Sequence, residues 1–347
     1  MLRSFTSGLS HGSATDPPSL PEIPLLLKAM EEAETENPWF TRDSVLHALT
    51  YWGEMLDQPI LETWLDRYHP KISADHASKR VGVIMAGNIP MVGFHDMLSV
   101  LLTGNHLVAR LSSQDSKLIP AIVNLLLQLE PKWKDQIELT TKEIEKPEAI
   151  IATGSNNTSR YFNYYFSRYP HIIRKNRTGV ALFDGAETAE DLQGIAADIF
   201  TYFGLGCRNV SKLYIPEGYD LKPLHEALLR YQELFHHPKY RNNLDYYKSI
   251  YLVNRIRFLD GVFYLLVEAE SLNTPVGVLN YEYYTDLQAV ESDINKQMNN
   301  IQCVVAREGL FQPNHDTGVV LPGKSQNPAL SDYADDVDTI EFLLEKI

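Results

Sequence analysis

Cys207 is the side chain in this sequence best suited to form a covalent bond with a substrate. It is one of two cysteines among 347 residues and stands in the sequence YFGLGCRN, between a predicted amphipathic helix and a predicted apolar strand. A thiol at a glycine-flanked break between helix and strand can be reached, and its thiolate is a strong nucleophile. Taken alone, Cys207 is equally consistent with a buried structural thiol.

Asn88 and His95 follow the first predicted strand, in the segment AGNIPMVGFH. The amide of Asn88 either caps the helix that follows or points at an oxyanion as it develops. His95 is a candidate proton carrier, with an ordinary helix residue as the alternative. The adjacent pair His236 and His237 lacks the spacing of metal ligands, so we predict no metal site.

A glycine-serine turn, Gly154-Ser155, ends the third predicted strand and opens a helix. Backbone N–H groups at such a helix start are a natural phosphate site. The stretch from residue 149 to residue 183 contains no acidic residue, although the chain has a net charge of −14. Its basic residues are Arg160, Arg168, Arg174, Lys175 and Arg177. This reversal of charge indicates a phosphate-rich ligand, or equally a solvated basic face opposite acidic neighbours.

Alternating strands and helices must position these residues. Apolar runs predict strands at 81–86, 107–111, 149–153, 178–183 and 210–215. Helical periodicity predicts helices at 91–102, 118–129, 158–166 and 188–203. Thr188 caps the last of these helices and Gly204 stops it. Shorter strands are predicted at 251–253, 263–267, 276–280 and 301–306. This order predicts parallel sheets with helical crossovers, and ligands at the carboxyl ends of the strands.

Composition excludes several classes of protein. The net charge of −14, with no dominant basic stripe, argues against nucleic-acid binding. Two cysteines do not make a disulfide framework and fit a reducing cytosol. No apolar run is long enough to span a bilayer, and the first twenty residues lack the apolar region of a secretory signal. We therefore predict a soluble cytoplasmic protein.

Taken in order, these segments resemble the aldehyde dehydrogenase superfamily. Asn88 matches the Asn of its Asn-Phe-Pro-like motif, and the GNHLVAR segment at 104–110 resembles its Gly-Asn-Thr-Val-Val-x-Lys strand. Gly154-Ser155 matches the Gly-Ser turn that meets the cofactor, and 181–207 resembles the segment that ends at the nucleophile. Within the superfamily, residues 80–306 resemble the LuxC-type fatty acyl-CoA reductases. That likeness rests on GNIPMVG at 87–93, on the Cys207 segment and on TPVGVL at 274–279.

The resemblance implies an α/β fold of the aldehyde dehydrogenase type. It combines a Rossmann-type parallel-sheet cofactor domain with a second α/β domain that is catalytic. The expected organisation along the chain is a disordered N-terminus at 1–20, a helical segment at 21–75, an NADP(H)-binding domain at 76–177, a catalytic domain with Cys207 at 178–306, and a C-terminal segment at 307–347. A homo-oligomer is expected by analogy with the superfamily.

The resemblance also implies NADPH-dependent reduction of an acyl-CoA to an aldehyde through an acyl thioester on Cys207. Aldehyde dehydrogenases carry a water-activating Glu about where Ile173 stands, and the sequence has no carboxylate near that position. Gly154 and Ser155 would support the nicotinamide half of the cofactor. Arg110 replaces a Lys near the adenosine ribose, and Ser113 replaces a Glu of NAD-preferring relatives. These two changes favour NADPH, with NADH as the alternative.

The sequence leaves several assignments open. His95 is one candidate for activating Cys207, and a lowered thiol pKa beside Arg208 is the other. The acyl donor is an acyl-CoA or an acyl-protein, and a synthetase or acyltransferase could supply the acyl group. One competing function is reduction of an acyl phosphate, as in glutamyl phosphate reductase, which shares the fold and the cysteine. Another is a non-catalytic protein that binds a nucleotide or CoA.

Overall fold

Two sheets built from parallel strands organise the chain. The computed structural model describes residues 23–72, 77–313 and 318–347. The expected disordered N-terminus at 1–20 lies outside these residues. The chain divides into a first unit, which runs to Lys175 and includes Ala329–Ile347, and a second unit, Asn176–Pro328. Of the expected C-terminal segment at 307–347, the part up to Pro328 belongs to the second unit and the remainder to the first.

The first unit has a five-stranded sheet in the order β3-β2-β1-β4-β5, with all neighbours parallel. Its strands are β1 (Arg80–Ile84), β2 (His106–Arg110), β3 (Ile137–Thr140), β4 (Ala149–Thr153) and β5 (His171–Arg174). Its helices are α1 (Ile23–Glu36), α2 (Arg42–Met55), α3 (Gln58–Leu65), α4 (His69–Ile72), α5 (Phe94–Leu102), α6 (Leu118–Leu129), α7 (Asn156–Phe166) and α12 (Thr339–Glu345). Buried apolar residues from β1, β2, β4 and the helices form its core.

The second unit has a seven-stranded sheet in the order β12-β11-β6-β7-β10-β9-β8, in which only β8 is antiparallel to its neighbour. Its strands are β6 (Thr178–Leu182), β7 (Val210–Pro216), β8 (Leu259–Asp260), β9 (Leu265–Glu268), β10 (Val278–Tyr284), β11 (Ile301–Val305) and β12 (Val319–Val320). Its helices are α8 (Ala189–Phe200), α9 (Lys222–Leu228), α10 (Pro238–Val253) and α11 (Leu287–Gln297). Buried apolar side chains pack on both faces of this sheet.

The α/β fold with parallel sheets is therefore confirmed, with local corrections. The strand expected at 251–253 is wrong, because these residues form the last turn of α10. Helix α5 begins at Phe94 and not at residue 91, because Met91 has a left-handed backbone (φ 58°) that a helix cannot include. The predicted cap of α8 is confirmed, since the Thr188 hydroxyl accepts a hydrogen bond from the Asp191 N–H at 3.1 Å. In the described ranges, no helix is both long and apolar enough to cross a membrane.

Candidate active site

The carboxyl edge of the first sheet brings together five of the predicted site residues. Strand β1 pairs with β2 on one side and with β4 on the other. The strand order is therefore built outward from β1 in both directions, which makes β1 the topological switch point of the sheet. Open parallel sheets bind ligands at such a switch point, outside the carboxyl ends of the strands. The residues that follow β1, end or follow β2, and follow β4 are Asn88, Arg110, Ser113, Gly154 and Ser155.

The loop after β1 holds Asn88 exposed between two fixed points. Gly87 packs so tightly that a Cβ there would lie 2.4 Å from the Ser112 hydroxyl oxygen. On the other side, the Met91 N–H donates to Asp115 Oδ2 at 2.9 Å. Burial raises the pKa of Asp115 to about 6, although N–H donors from Met91 and Leu118 act against the rise. The backbone that carries Asn88 is thus held by a buried carboxylate.

In the turn after β4, Ser155 caps the helix that follows. The Ser155 hydroxyl accepts a hydrogen bond from the Thr158 N–H at 3.2 Å and caps α7. The Gly154 N–H donates to the Arg174 carbonyl at 3.3 Å, so it is already used within the sheet. A phosphate at this turn would therefore meet the first N–H groups of α7.

Arg110 and Ser113 lie at the same edge of the sheet. Arg110 is the last residue of β2 and is half-buried, and its carbonyl accepts a hydrogen bond from the Met85 N–H at 3.0 Å. Ser113 is exposed in the turn that follows. A guanidinium and a hydroxyl at the end of a strand next to the switch point suit a ribose or a phosphate.

The residue that follows Ile173 is paired with a carboxylate that the local sequence does not reveal. The side chain of this residue, Arg174, forms a buried ion pair with Asp96 of α5. Arg174 also donates to the Thr339 hydroxyl at 2.9 Å, which ties α12 to this sheet. Asp96 is thus engaged by a guanidinium rather than placed to activate a water.

The basic stretch at 149–183 is divided between structural and exposed roles. Arg174 belongs to the ion pair with Asp96, and Arg177 donates to the carbonyls of Met298 and Ile301 at 3.4 Å. Arg160, Arg168 and Lys175 are exposed. These three cations therefore face solvent, where a phosphate could meet them, and Arg177 is half-buried.

His95 has the contacts of a structural residue. It is half-buried in α5, and its Nε2 lies 2.9 Å from the Leu330 carbonyl, which can only accept a hydrogen bond. Its ring also packs against Trp64 and Tyr333, with centroids 5.4 and 5.5 Å away. His95 Nε2 is thus used as a donor to the Leu330 carbonyl. A role of His95 in proton transfer stays a prediction.

In the second unit, Cys207 lies in a tight turn just before β7. The chain leaves α8 through two left-handed residues, Tyr202 (φ 55°) and Phe203 (φ 58°). A reverse turn then runs from Gly206 to Asn209, closed by the Asn209 N–H on the Gly206 carbonyl at 3.1 Å. Cys207 is the first of its two central residues and is half-buried. It lies at the amino edge of the sheet, which the rule for parallel sheets does not anticipate.

Asn209 fixes this turn through both ends of its amide. Its Oδ1 accepts a hydrogen bond from the Gly206 N–H at 2.7 Å. Its Nδ2 lies within hydrogen-bond distance of three carbonyls at the end of α8, those of Asp198 (2.9 Å), Thr201 (2.9 Å) and Ile199 (3.3 Å). Asn209 is almost fully buried, and sequence reasoning did not single it out. The helix end and the cysteine turn are thus joined by one side chain.

A second anchor holds the same end of α8. The carboxylate of Asp198 accepts hydrogen bonds from the N–H groups of Gly323 (2.7 Å) and Ser325 (3.0 Å). Burial raises the pKa of Asp198, and the N–H donors act against that rise. On the other side of the turn, the Cys303 thiol lies 3.6 Å from the Arg208 carbonyl. The Cys207 turn is therefore fixed to a helix and to strand β11.

Comparison with known proteins agrees with this architecture. The sheets match the aldehyde dehydrogenase-like fold: aldehyde dehydrogenase 21 from Physcomitrella patens, in complex with the reaction product succinate, superposes with a TM-score of 0.59. The two are 12% identical, and the match covers 99% of this chain and 84% of that one. The family model described as acyl-CoA reductase (LuxC) matches residues 15–235. The chain belongs to this LuxC family.

Curated relatives carry a related name. A long-chain acyl-protein thioester reductase of Photorhabdus laumondii is 21% identical over 67% of this chain and 54% of its own length. Long-chain acyl-protein thioester reductase 2 of Photobacterium leiognathi is 22% identical over 72% of this chain and 57% of its own length. The chain thus spans just over half the length of these relatives.

Proposed function

We propose that this chain reduces an acyl thioester to an aldehyde, with Cys207 as the nucleophile and NADPH as the reductant. The observation that carries the proposal is the turn at Cys207, which Asn209 holds at a fixed position beside the end of α8. A half-buried thiol on a rigid turn, in a member of the LuxC family, is suited to hold an acyl group. We assign the cofactor-binding role to the first unit and the catalytic role to the second.

The proposed chemistry has two stages. The Cys207 thiolate attacks the carbonyl carbon of the acyl thioester, and the donor leaves as a thiolate that takes up a proton. When bound, NADPH supplies a hydride to the acyl carbon. The resulting thiohemiacetal on Cys207 loses the thiolate and releases the aldehyde. In both stages the backbone N–H of Cys207 is the proposed donor to the oxyanion, worth about 3 kcal/mol of barrier, and a catalytic role for Asn88 stays a prediction.

The neighbourhood of Ile173 supports reduction over hydrolysis. An acyl-enzyme is hydrolysed when a base activates water beside it. Ile173 packs against the apolar side chains of Ile84, Ile150 and Ala152. The carboxylate of Asp96 is paired with Arg174, whose side chain leaves the other face of β5. Without such a base, the thioester on Cys207 persists until a hydride reaches it.

The residues at the first sheet's carboxyl edge are suitable for a dinucleotide. A switch point, the amino end of α7 and a half-buried Arg110 supply a crevice, N–H donors and a cation. Arg110 together with Ser113 favours the 2′-phosphate of NADPH, because no carboxylate stands at position 113 to repel it. An Arg110→Leu variant should raise the KM for NADPH at least about tenfold and leave that for NADH nearly unchanged.

Intact mass measurement tests the nucleophile directly. The protein is incubated with acyl-CoA thioesters from acetyl to palmitoyl, without NADPH, and should gain the mass of one acyl group. Cys207→Ala should abolish the adduct, whereas Cys303→Ala is the matched control and should keep it, because Cys303 is buried in β11. A persisting adduct in Cys207→Ala would refute the assignment.

The same assay distinguishes the donors and the competing functions. Acyl-CoA and acyl-protein thioesters are compared because the family model and the curated relatives carry different names. NADPH oxidation with an acyl phosphate but with neither thioester would show the acyl-phosphate function instead. An absence of adduct and of NADPH oxidation with every donor would favour a protein that only binds nucleotide or CoA.

A further inference from the structure

The segment 252–262 of the second unit forms an exposed apolar surface, which we call the apolar tip. It runs from the end of α10 through the edge strand β8. Its exposed aliphatic side chains, with exposed fractions from 40% to 82%, are Leu252, Val253, Ile256, Leu259 and Val262. Five such side chains within eleven residues are unusual, because scattered single apolar residues are the norm on a protein surface.

The backbone of the apolar tip is held in place by local contacts. The Asn254 N–H donates to the Ile250 carbonyl at 2.9 Å, and the Ile256 N–H donates to the Tyr251 carbonyl at 2.9 Å. An ion pair between Lys248 and Asp260 joins α10 to β8. The aliphatic side chains are therefore presented by a fixed scaffold.

Two arginines lie among the apolar side chains. Arg255 and Arg257 are both exposed, next to Ile256. The only carboxylate of the tip, Asp260, is paired with Lys248. In a chain with a net charge of −14, this is a cationic and apolar segment. Aliphatic side chains flanked by arginines match the boundary between the acyl chains and anionic headgroups of a bilayer.

Other occupants fit the tip less well. A strand added to the sheet edge would find only two residues in β8, and Val262 bends the chain there with a φ of 72°. A second copy of this chain would need a much larger surface, since a stable interface uses roughly 20 to 30 residues a side. Eleven residues with a small apolar area are enough for an interfacial anchor.

We propose that the apolar tip docks this protein on the surface of an anionic lipid bilayer. The aliphatic side chains enter the region between headgroups and acyl chains, and Arg255 and Arg257 pair with lipid phosphates. The association is peripheral and reversible. It does not depend on the proposed reaction, because none of these residues has a role in it.

Vesicle sedimentation of the full chain tests this proposal. Vesicles of phosphatidylcholine alone are compared with vesicles that also contain phosphatidylglycerol, at low and high salt. Binding should favour the anionic vesicles and weaken as salt screens the arginines. Val253→Ser combined with Val262→Ser should reduce the partition coefficient at least about tenfold. Arg255→Gln combined with Arg257→Gln should reduce it by roughly fivefold per arginine, on anionic vesicles only.

A matched control replaces an exposed side chain elsewhere. Tyr164 of α7 is 79% exposed, and Tyr164→Ser should leave vesicle binding unchanged. Thermal unfolding and light scattering are measured on every variant. Equal binding to both kinds of vesicle, or equal binding by the tip variants and the parent, would overturn the proposal. So would a tip variant that changes the oligomeric state, because the tip would then be an interface between copies.

Discussion

The Asn88 loop and the Cys207 turn solve the same structural problem with different anchors. Each contains left-handed, non-glycine backbone: Met91, which precedes α5, in the first, and Tyr202 with Phe203, which follow α8, in the second. Such backbone is strained by about 1–3 kcal/mol a residue and persists only where its surroundings hold it. The anchor of the Asn88 loop is the carboxylate of Asp115, whereas that of the Cys207 turn is the amide of Asn209.

The difference has consequences for both stability and pH dependence. A carboxylate only accepts hydrogen bonds, so Asp115 collects N–H groups, and its burial raises its pKa to about 6. An amide donates and accepts, so Asn209 joins the carbonyls of a helix end to the Gly206 N–H without any charge. The comparison indicates that the side chain anchoring the Asn88 loop titrates, whereas the amide anchoring the Cys207 turn does not.

The largest expected effect comes from removing the amide anchor. Asn209→Ala leaves the Gly206 N–H and the α8 carbonyls without their partner, which should destabilise the second unit by about 4 kcal/mol. Hydrogen exchange of the β6 and β7 amides measures this loss. Asn280→Ala is the matched control, because that buried amide has one hydrogen bond from Nδ2, to the Ser271 carbonyl, and should cost about 1 kcal/mol. Equal losses in the two variants would refute the anchoring role of Asn209.

The carboxylate anchor should give a smaller effect that depends on pH. The pKa of Asp115 is about 6 in the folded chain against an ordinary 3.8. Between these two pH values, the folded protein therefore binds more protons than the unfolded protein. The stability that protonated Asp115 contributes is full below about pH 4 and is lost as the pH rises through about 6. As the pH rises from about 4 to about 6, the free energy of unfolding of the parent should fall by up to about 3 kcal/mol relative to that of Asp115→Asn.

Tryptophan fluorescence during urea unfolding measures this effect selectively. All four tryptophans lie at positions 39, 52, 64 and 133, within the first unit, as does Asp115. Asp115→Asn keeps an oxygen to accept the Met91 N–H, so the variant should fold. The parent and the variant should differ in the slope of unfolding free energy against pH. Parallel slopes would show that Asp115 does not titrate in this window.

Much of the fold could be predicted from the sequence because its signals are local. Apolar runs placed β1, β2, β4, β6 and β7, and a capping box placed the start of α8. Tyr251 and Val253 favour a strand at 251–253, yet a sixteen-residue helix includes this segment. Tertiary and helical contacts outweighed the propensity of three residues there.

The site was predictable only in part, because its anchors act across the chain. Asn88 and Gly154-Ser155 follow the carboxyl ends of predicted strands, where ligand sites are sought, whereas Cys207 is a candidate because of the glycine-flanked break between helix and strand. Asp115 reaches a backbone N–H 24 residues earlier, and Asn209 reaches a carbonyl 11 residues earlier. An Asn before a strand is an ordinary turn residue, so sequence alone offers no signal for this role. Asp96 was missed for the same reason, since its partner is 78 residues away.

The smallest expected effect comes from substituting Gly204, just before the Cys207 turn, and it separates the cost of backbone strain from the cost of steric crowding. Gly204 has a φ of 75°, and a Cβ there would lie 3.2 Å from the Ile199 carbonyl, one of the acceptors for Asn209. Gly218 has a similar φ of 82° with open space around it, so Gly218→Ala should cost only the left-handed strain, about 1 kcal/mol. Gly204→Ala should cost about 2 kcal/mol, because the carbonyl must also shift. Hydrogen exchange measures the loss of unfolding free energy in each variant. Equal losses would show that the Ile199 carbonyl is free to move.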